Sequence, residues 1–497
     1  MTTSMQPVRE PIAVQVLQHA LERAHCVALR HGETQISYVE LALCSIQYAH
    51  YFESRCEKNT SIALCISEQS TLICSFLGAR LCGHNVLVLN PEWPAAGLRQ
   101  CLDELQPTVS ISDADSIKIS RELPQPSGDT IDTLLHWIKK ADRDLNKAFY
   151  TGFTSGSEGK PKGFTRHENS WLHSFETDAD SYYLNALDTV VCPGKLAHSL
   201  FLYASLRALS AGLTLEFLDG LAHSAQRKRL KKHASVVLFA VPAQLQSLVD
   251  SHQSLDNIRL VVSAGAKLQP GLRHGLSKQL INAEIMECYG SSELSYIALS
   301  QPSHKPPACS VGKPCDGVEI RVVDSNDKSL RTGQEGRLLI RSALQFMGYA
   351  EPKNTTSLRH LHRSDGYIDS GDTGYLDDKG FLYITGRSDR MMQIAGQSIF
   401  PEQIEAALLS HPSVKNAAVF PIHNTRRGQR AIVVIEPIEG EPLSRRDLMS
   451  HMAKSLSDAV IPRHFFYSKQ WPRTVSEKTD VKQLMSQHRN QQLDALT

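Results

Sequence analysis

The chain has 497 residues, 41% hydrophobic and 21% charged, with Lys+Arg 53 against Asp+Glu 52 and a formal net charge of +1. That balance fits a soluble globular enzyme of about two to four domains and excludes a disordered, collagen-like or coiled-coil chain. A counterion-release binder carries a basic excess that is missing here, so nucleic acid is not an expected partner.

The N-terminal Met1–Glu10 has no apolar stretch with basic flanks, so no secretory signal is expected. Apolar periodicity predicts a helix over Ala13–Arg23, and Ser61–Ile66 is a short apolar run. A helix over Ser70–Cys82 follows, then a strand over Asn85–Leu89 ending at Asn90-Pro91. Ala96–Glu104 reads as helix and Val109–Ile111 as a short strand. The alternation resumes with Ser235–Val241 (strand), Ala243–Ser251 (helix), Leu260–Ser263 (strand) and Gly271–Leu280 (helix), which argues for parallel βαβ units. Between them, Arg227–Lys232 is the densest basic cluster and reads as a solvated helix face. From Val311 the texture changes: Val318–Val323 and Gly336–Arg341 alternate as antiparallel strands do, separated by the turn-rich Asp324–Glu335. After Arg387 a compact α+β pattern runs into a charged tail. The 11 cysteines form no C-x-x-C pair or zinc spacing, and buried, reduced thiols in a reducing compartment are expected. No run approaches ~18 uninterrupted apolar residues, so no membrane span is expected and a cytoplasmic location is the default.

The stretch Tyr150–Gly163, YTGFTSGSEGKPKG, concentrates four glycines, four Ser/Thr hydroxyls and two lysines. Glycine lets successive N–H groups turn inward as an anion nest, hydroxyls add donors and lysine adds charge, a chemistry that suits a polyphosphate. It is not a Walker A loop: Thr154 stands five before Gly159 where glycine is required, and Pro161 follows Lys160 where Ser or Thr would hold Mg²⁺.

This stretch resembles the T-S-G-[ST]-T-G-x-P-K-G phosphate loop of the acyl-/aryl-CoA synthetase, adenylation-domain and luciferase superfamily of adenylate-forming, AMP-binding enzymes. Further segments follow in that family's order. Ser263-Ala264-Gly265-Ala266 resembles the adenine-wall segment, Tyr289–Glu293 (YGSSE) resembles Y-G-x-T-E, and Ser370-Gly371-Asp372 resembles T-G-D. Gly386-Arg387-Ser388-Asp389, with Gly396, Pro401 and Ile404-Glu405 after it, resembles G-R-x-D…G…P-x-E-I-E, and Pro472–Lys478 resembles the C-terminal P-R-T-x-x-G-K lysine motif.

The resemblance implies an α/β fold: a large N-terminal domain of βαβ-type parallel sheets with a small β-barrel-like part, residues 1–387, joined by a hinge to a small, mobile α+β C-terminal domain, 388–497. It implies an ATP-dependent acid–thiol ligase that forms an acyl-AMP, releases pyrophosphate and passes the acyl group to CoA. Thr154, Ser155, Gly156, Ser157, Gly159 and Lys162 would wrap the β- and γ-phosphates. Glu293 would hold Mg²⁺, a hard cation that takes few carboxylates. Tyr289, followed by Gly290 and Ser292, would stack on adenine, with Gly265 permitting close approach of the base. Asp372 would accept both ribose hydroxyls, and Arg387 would reach the ribose or α-phosphate. Lys478 would bridge the attacking carboxylate and the α-phosphate as a compact three-donor ammonium. Asp389 would be the hinge, and the Gly396 loop would line a pantetheine tunnel in the second step.

The sequence departs from the family pattern at several places. Glu158 stands where Thr is usual, Glu477 where Gly precedes the lysine, Ser292 for Thr, and Gln393 where many members carry Lys. His198 lies in Pro193–Leu213, where the family lines the acyl and thiol channel, and is the expected gate; a satisfied core histidine is the competing reading. That segment holds no Asp or Glu to pair a substrate ammonium, which disfavours an amino acid. Leu200-Phe201-Leu202-Tyr203 suggests an apolar wall, hence an aliphatic or aryl acid. Two alternatives stand beside the CoA ligase: a stand-alone ligase loading a carrier protein's phosphopantetheine, and a degenerate member that binds nucleotide or acyl-adenylate without turnover. A luciferase-like oxygenase is more remote.

Overall fold

The computed structural model describes residues 9–122, 129–155, 161–307, 309–351, 354–394, 397–424, 428–440, 443–456, 460–474 and 478–496. The predicted helices are present, each displaced by about a residue, as usual where caps decide the ends: Ile12–Glu22, Gln69–Leu81, Ala95–Leu105, Pro242–Asp250 and Pro270–Gln279. Gln69–Leu81 is buried almost throughout, which explains why its apolar residues are not confined to one face.

Among the described residues the strands form two large sheets and two smaller four-stranded ones, besides a two-stranded ribbon. In the seven-stranded sheet, Ser61–Cys65 pairs in parallel with both Asn85–Val88 and Val109–Ser112, and Asn85–Val88 pairs in parallel with Ala148–Ser155. These are the βαβ units expected from the alternating pattern. The sheet then turns antiparallel: Ala148–Ser155 folds back on Pro161–His167, which pairs with Gly348–Glu351. The nine-stranded sheet has a parallel centre, Asp188–Cys192 beside Ser235–Ala240, Ile258–Ala264 and Glu284–Ser291, and antiparallel edges. Both sheets are therefore mixed rather than wholly parallel. The part expected to be barrel-like is an antiparallel sheet of Glu319–Val323, Gly336–Arg341, Ile368–Leu376 and Leu382–Arg387.

One main core joins both large sheets and the helices Ile12–Glu22, Gln69–Leu81 and Ser199–Ser210. The C-terminal segment has its own core, built from the hairpin Val414–Asn424/Gly428–Pro437 and the helices Pro401–Leu409 and Arg445–Met452. No described helix is long and apolar enough to cross a membrane.

Two expectations change on inspection. The basic cluster is only half a solvated face. Lys228, Lys231 and Lys232 are exposed, but Arg227 is buried against the Leu221 and Ala222 carbonyls, and Arg229 pairs with buried Glu216 at 2.6 Å. Arginine can bury its stem and satisfy its planar fork with carbonyls and carboxylates, as the neighbouring lysines do not. The cysteines are free thiols as expected, yet Cys26 and Cys309 are exposed while Cys74, Cys101, Cys192, Cys288 and Cys315 are buried.

The N-terminal helix is fastened by a buried ion pair. Glu168 accepts from the Ile12 amide at 2.7 Å and from Arg80 at 3.0 Å, with Glu168 1% and Arg80 4% exposed. Removing one partner strands the other charge in the core, so Arg80→Met should cost about 3–5 kcal/mol, read as a lower urea midpoint. An unchanged midpoint would show that Glu168 finds another partner.

Candidate active site

The candidate residues converge where strands of the nine-stranded sheet end. Ile258–Ala264 runs straight into Gly265, whose φ of +88° favours glycine. A Cβ at that position would make ordinary van der Waals contact with Val241 Cγ1 at 3.6 Å and Lys478 Cε at 4.0 Å. The tail lysine is thus brought to the adenine-wall segment. Glu284–Ser291 carries Tyr289 and Gly290 to the same edge. Gly290 is obligatory on packing grounds: a Cβ would lie 1.9 Å from the Ser295 carbonyl oxygen.

Tyr289 donates its hydroxyl to Asp372, which sits on Ile368–Leu376 directly opposite Arg387 on Leu382–Arg387. Arg387 Nε lies 3.5 Å from Asp372 and 3.4 Å from Asp389. Burial raises the Asp372 carboxyl, against the Tyr289 hydrogen bond and the charge of Arg387. The Asp372 amide is itself held by Ser370 Oγ at 3.1 Å.

Glu293 ends the YGSSE turn. Its carboxylate accepts from the Tyr349 hydroxyl at 2.8 Å, and its carbonyl accepts from the Phe346 amide at 2.7 Å. Ser292 Oγ meets Ser199 Oγ at 3.2 Å, at the first turn of the helix Ser199–Ser210. His198 caps that helix, so it stands beside the turn, its ring 6.5 Å from that of Phe201. An anchored carboxylate among hydroxyls is an oxygen-donor set that suits a hard divalent cation.

Lys478 is exposed. Desolvation, with the positive charge of Arg387, lowers its ammonium pKa, and Glu293 pulls the other way. Its backbone is gripped by Thr474, whose amide donates to the Lys478 carbonyl at 2.7 Å and whose hydroxyl accepts from the Lys478 amide at 3.2 Å. Asp389 lies in a short turn, Ser388–Arg390, between two anchors. Arg387 is tied back to Asp372, while Arg390 is tied forward to Glu402 at 2.7 Å and Glu405 at 2.8 Å.

The segment expected to hold a polyphosphate follows a strand paired antiparallel, with Thr154 opposite Lys162 and Ser155 opposite Pro161. Thr154 is half-buried and Lys162 exposed. Gly156, Ser157 and Gly159 lie outside the described residues, as do Gly396, Glu158 and Glu477.

Composition and motif matching gave no signal for Arg166, the residue that joins this hairpin to the rest of the site. It is 2% exposed, and it donates to the Ser292 carbonyl at 2.9 Å, to the Leu344 carbonyl, and to Ser170 Oγ at 3.1 and 3.2 Å. Burial lowers its pKa to about 10, against the charges of its neighbours. Tyr349 was missed as well; it lies far along the chain from the carboxylate it holds. No local signal marked Arg166, because its strand, Pro161–His167, already carries Lys162, Thr165 and His167.

The architecture is that of a large α/β unit whose strand ends meet a lysine-bearing C-terminal domain. The AMP-binding enzyme model matches residues 14–350, and the AMP-binding enzyme C-terminal domain model matches residues 403–478. The chain belongs to the AMP-binding enzyme family. It is 28% identical over 465 residues to the uncharacterized acyl–CoA ligase YhfT of Bacillus subtilis (strain 168), covering 91% of this chain and 93% of that one. It shares its fold with o-succinylbenzoate CoA synthetase (MenE) from Bacillus subtilis in complex with the acyl-adenylate OSB-AMP, with a TM-score of 0.81 at 20% identity over 96% and 98% of the chains. The same enzyme in complex with ATP and magnesium ion gives a TM-score of 0.81 at 20% identity over 95% and 99%. ATP-bound MatB from Rhodopseudomonas palustris gives 0.82 at 20% identity over 97% and 99%. The expected fold and family are borne out.

Arg166→Met would leave the Ser292 and Leu344 carbonyls without their donor, at about 1–3 kcal/mol for each acceptor left buried and unpaired. The expected signature is local: lower thermal stability together with faster hydrogen exchange at the Phe346 amide. Unchanged exchange there would mean the turn is held without Arg166.

Proposed function

We propose that this chain is an AMP-forming acid–CoA ligase. The observation that carries the reading is the placement of the Lys478 side chain beside Gly265, its ammonium within the influence of both Arg387 and Glu293. The named activity of YhfT, and the ATP, magnesium and acyl-adenylate bound by MenE, support the same chemistry.

In the first step a carboxylate oxygen attacks the α-phosphorus of ATP. The new O–P bond forms as the bond to pyrophosphate breaks, and pyrophosphate carries away the electron pair. Positioning and charge stabilisation supply most of the acceleration. Lys478 neutralises the two anions that must meet. Asp372, steadied by Tyr289, accepts the ribose hydroxyls, Arg387 holds the ribose or α-phosphate, and Tyr289 with Gly290 and Gly265 forms the adenine wall. Thr154, Ser155, Gly156, Ser157, Gly159 and Lys162 take the β- and γ-phosphates. Glu293, positioned by Tyr349, with Ser292 beside it, would hold Mg²⁺, which when bound offsets phosphate charge.

In the second step a thiol attacks the acyl carbon; a C–S bond forms, the C–O bond to AMP breaks, and the thiol proton passes to solvent. His198, at the mouth of the helix that carries the apolar wall, gates this path. The domain boundary falls at 387/388, with Asp389 as the pivot between residues anchored on either side and the Gly396 loop lining the thiol's approach. CoA is the acceptor. A carrier-protein phosphopantetheine offers the same thiol, and comparing free CoA with a holo-carrier separates the two.

Lys478→Ala should slow acid-dependent pyrophosphate release by about a hundredfold or more, yet leave thioester formation from supplied acyl-AMP nearly intact. Equal loss in both steps would remove Lys478 from its role. Asp389→Pro, which fixes φ at the pivot, should spare pyrophosphate release and block thioester formation; unimpaired overall turnover would place the pivot elsewhere.

A further inference from the structure

Resting on the ligase reading above, we infer that Glu287 is a positioning residue for the nucleotide. Its buried carboxylate ties the loop that follows Gly265 to the strand that carries Tyr289, and so sets the two sides of the adenine wall relative to each other. The strands Ile258–Ala264 and Glu284–Ser291 lie side by side in parallel, with Ser263 opposite Glu287 and Ala264 opposite Cys288. Alternation turns Glu287 to the same face as Ile285, which packs in a separate apolar core with Leu268, Leu272 and Leu276. A carboxylate 3% exposed in such surroundings needs partners. Among the described residues, its side-chain partners all come from the chain just beyond Gly265. Glu287 Oε1 accepts from the Leu268 amide at 3.0 Å, and Oε2 accepts from Lys267 Nζ at 3.0 Å and from Arg273 at 3.3 Å. Arg273 lies on the helix Pro270–Gln279 and also donates to the Ile285 carbonyl at 2.9 Å, on Glu287's own strand. Loop, helix and strand are closed on one carboxylate.

Lys267 extends the tie. Its ammonium also donates to the Ser310 carbonyl at 2.7 Å. The next amide along, that of Val311, donates to the Leu382 carbonyl at 2.9 Å, at the start of the strand that ends in Arg387. A lysine in this loop could be read as a phosphate ligand, but its charge is already spent on Glu287. The wall itself, Gly265 and Ala266, is exposed, whereas Lys267 is half-buried and Leu268 is 1% exposed. Gly265 turns at positive φ, where glycine keeps most freedom, so the shape of the exposed pair depends on how firmly the chain is held just beyond it. Without the carboxylate, the nucleotide would have to order the loop as it bound, and that cost is taken from affinity. The loss falls on ground state and transition state alike, so it shows in KM and not in kcat.

The test is calorimetric titration of the full chain with MgATP, beside ATP–pyrophosphate exchange with acetate, palmitate, benzoate and succinate. Glu287→Ala should raise both the Kd and the KM for ATP by about tenfold, with kcat and the KM of the acid within about twofold of wild type. Glu287→Gln keeps an acceptor for the Leu268 amide but loses the pairing with Lys267, and should fall between wild type and Glu287→Ala. Lys267→Met, a milder change at a half-buried side chain, should raise the Kd for ATP by about threefold and speed hydrogen exchange at the Leu268 amide. An unchanged Kd for ATP in folded Glu287→Ala overturns the positioning role; if that variant does not fold, an unchanged Kd in Lys267→Met does so. An equal rise in the KM of the acid also overturns it, since that marks a general loosening of the fold. Wild-type chain that binds ATP but exchanges with none of the acids overturns the ligase reading, and the titrations then judge Glu287 by themselves. Wild-type chain that does not bind ATP overturns both.

Discussion

A guanidinium that, among the described residues, bonds carbonyls and a hydroxyl rather than a carboxylate holds the centre of this molecule together. Arg166 leaves the strand that follows the phosphate segment and spends its donors on the Ser292 carbonyl, the Leu344 carbonyl and Ser170. Three chain segments remote in sequence are thereby set at one distance from each other. A lysine in that position would offer a point charge without the planar fork, and an apolar residue would leave two carbonyls dry. The carboxylate of Glu293 is placed by what Arg166 and Tyr349 hold on either side of it.

Electrostatics at the site are arranged by separation as much as by pairing. Asp372 and Asp389 share Arg387, Glu293 is matched by the Tyr349 hydroxyl, and Lys478 is left facing Arg387 across the cleft. Two exposed cations on the same side of the site make an environment that favours a polyanion. That is the electrostatic reason an otherwise neutral chain, with formal charge +1, can present a local anion site.

The sequence disclosed what depends on local backbone chemistry. Glycine-rich turns, a Tyr-Gly-Ser-Ser-Glu run and the central strand–helix alternation are readable because each needs particular residues at short spacing. Partnerships between strands were less legible. Period and β-propensity identify Ala148–Ser155 and Pro161–His167 only weakly, since glycines and hydroxyls chosen for the loop dilute the strand signal, and nothing local says that they pair antiparallel at the edge of a parallel sheet. Arg166 and Tyr349 were invisible for a related reason, because their partners lie far along the chain. The basic cluster misled because charge counting does not distinguish Arg227, which turns inward, from Lys228, which does not.

The segment from Arg387 to Arg390 has a mechanical consequence. Arg387 belongs to the large unit and Arg390 is clamped to Glu402 and Glu405 of the small one, so only Ser388 and Asp389 are free of either body's clamp. The contact that crosses them, Arg387 to Asp389, is a solvent-washed pair of the kind that contributes little. The bracing there comes instead from Phe400, packed tightly over Gly386. Were Asp389 the pivot proposed above, whatever fills the site would decide which orientation prevails, as the load on a balance rather than the stiffness of its bearing decides how the beam rests.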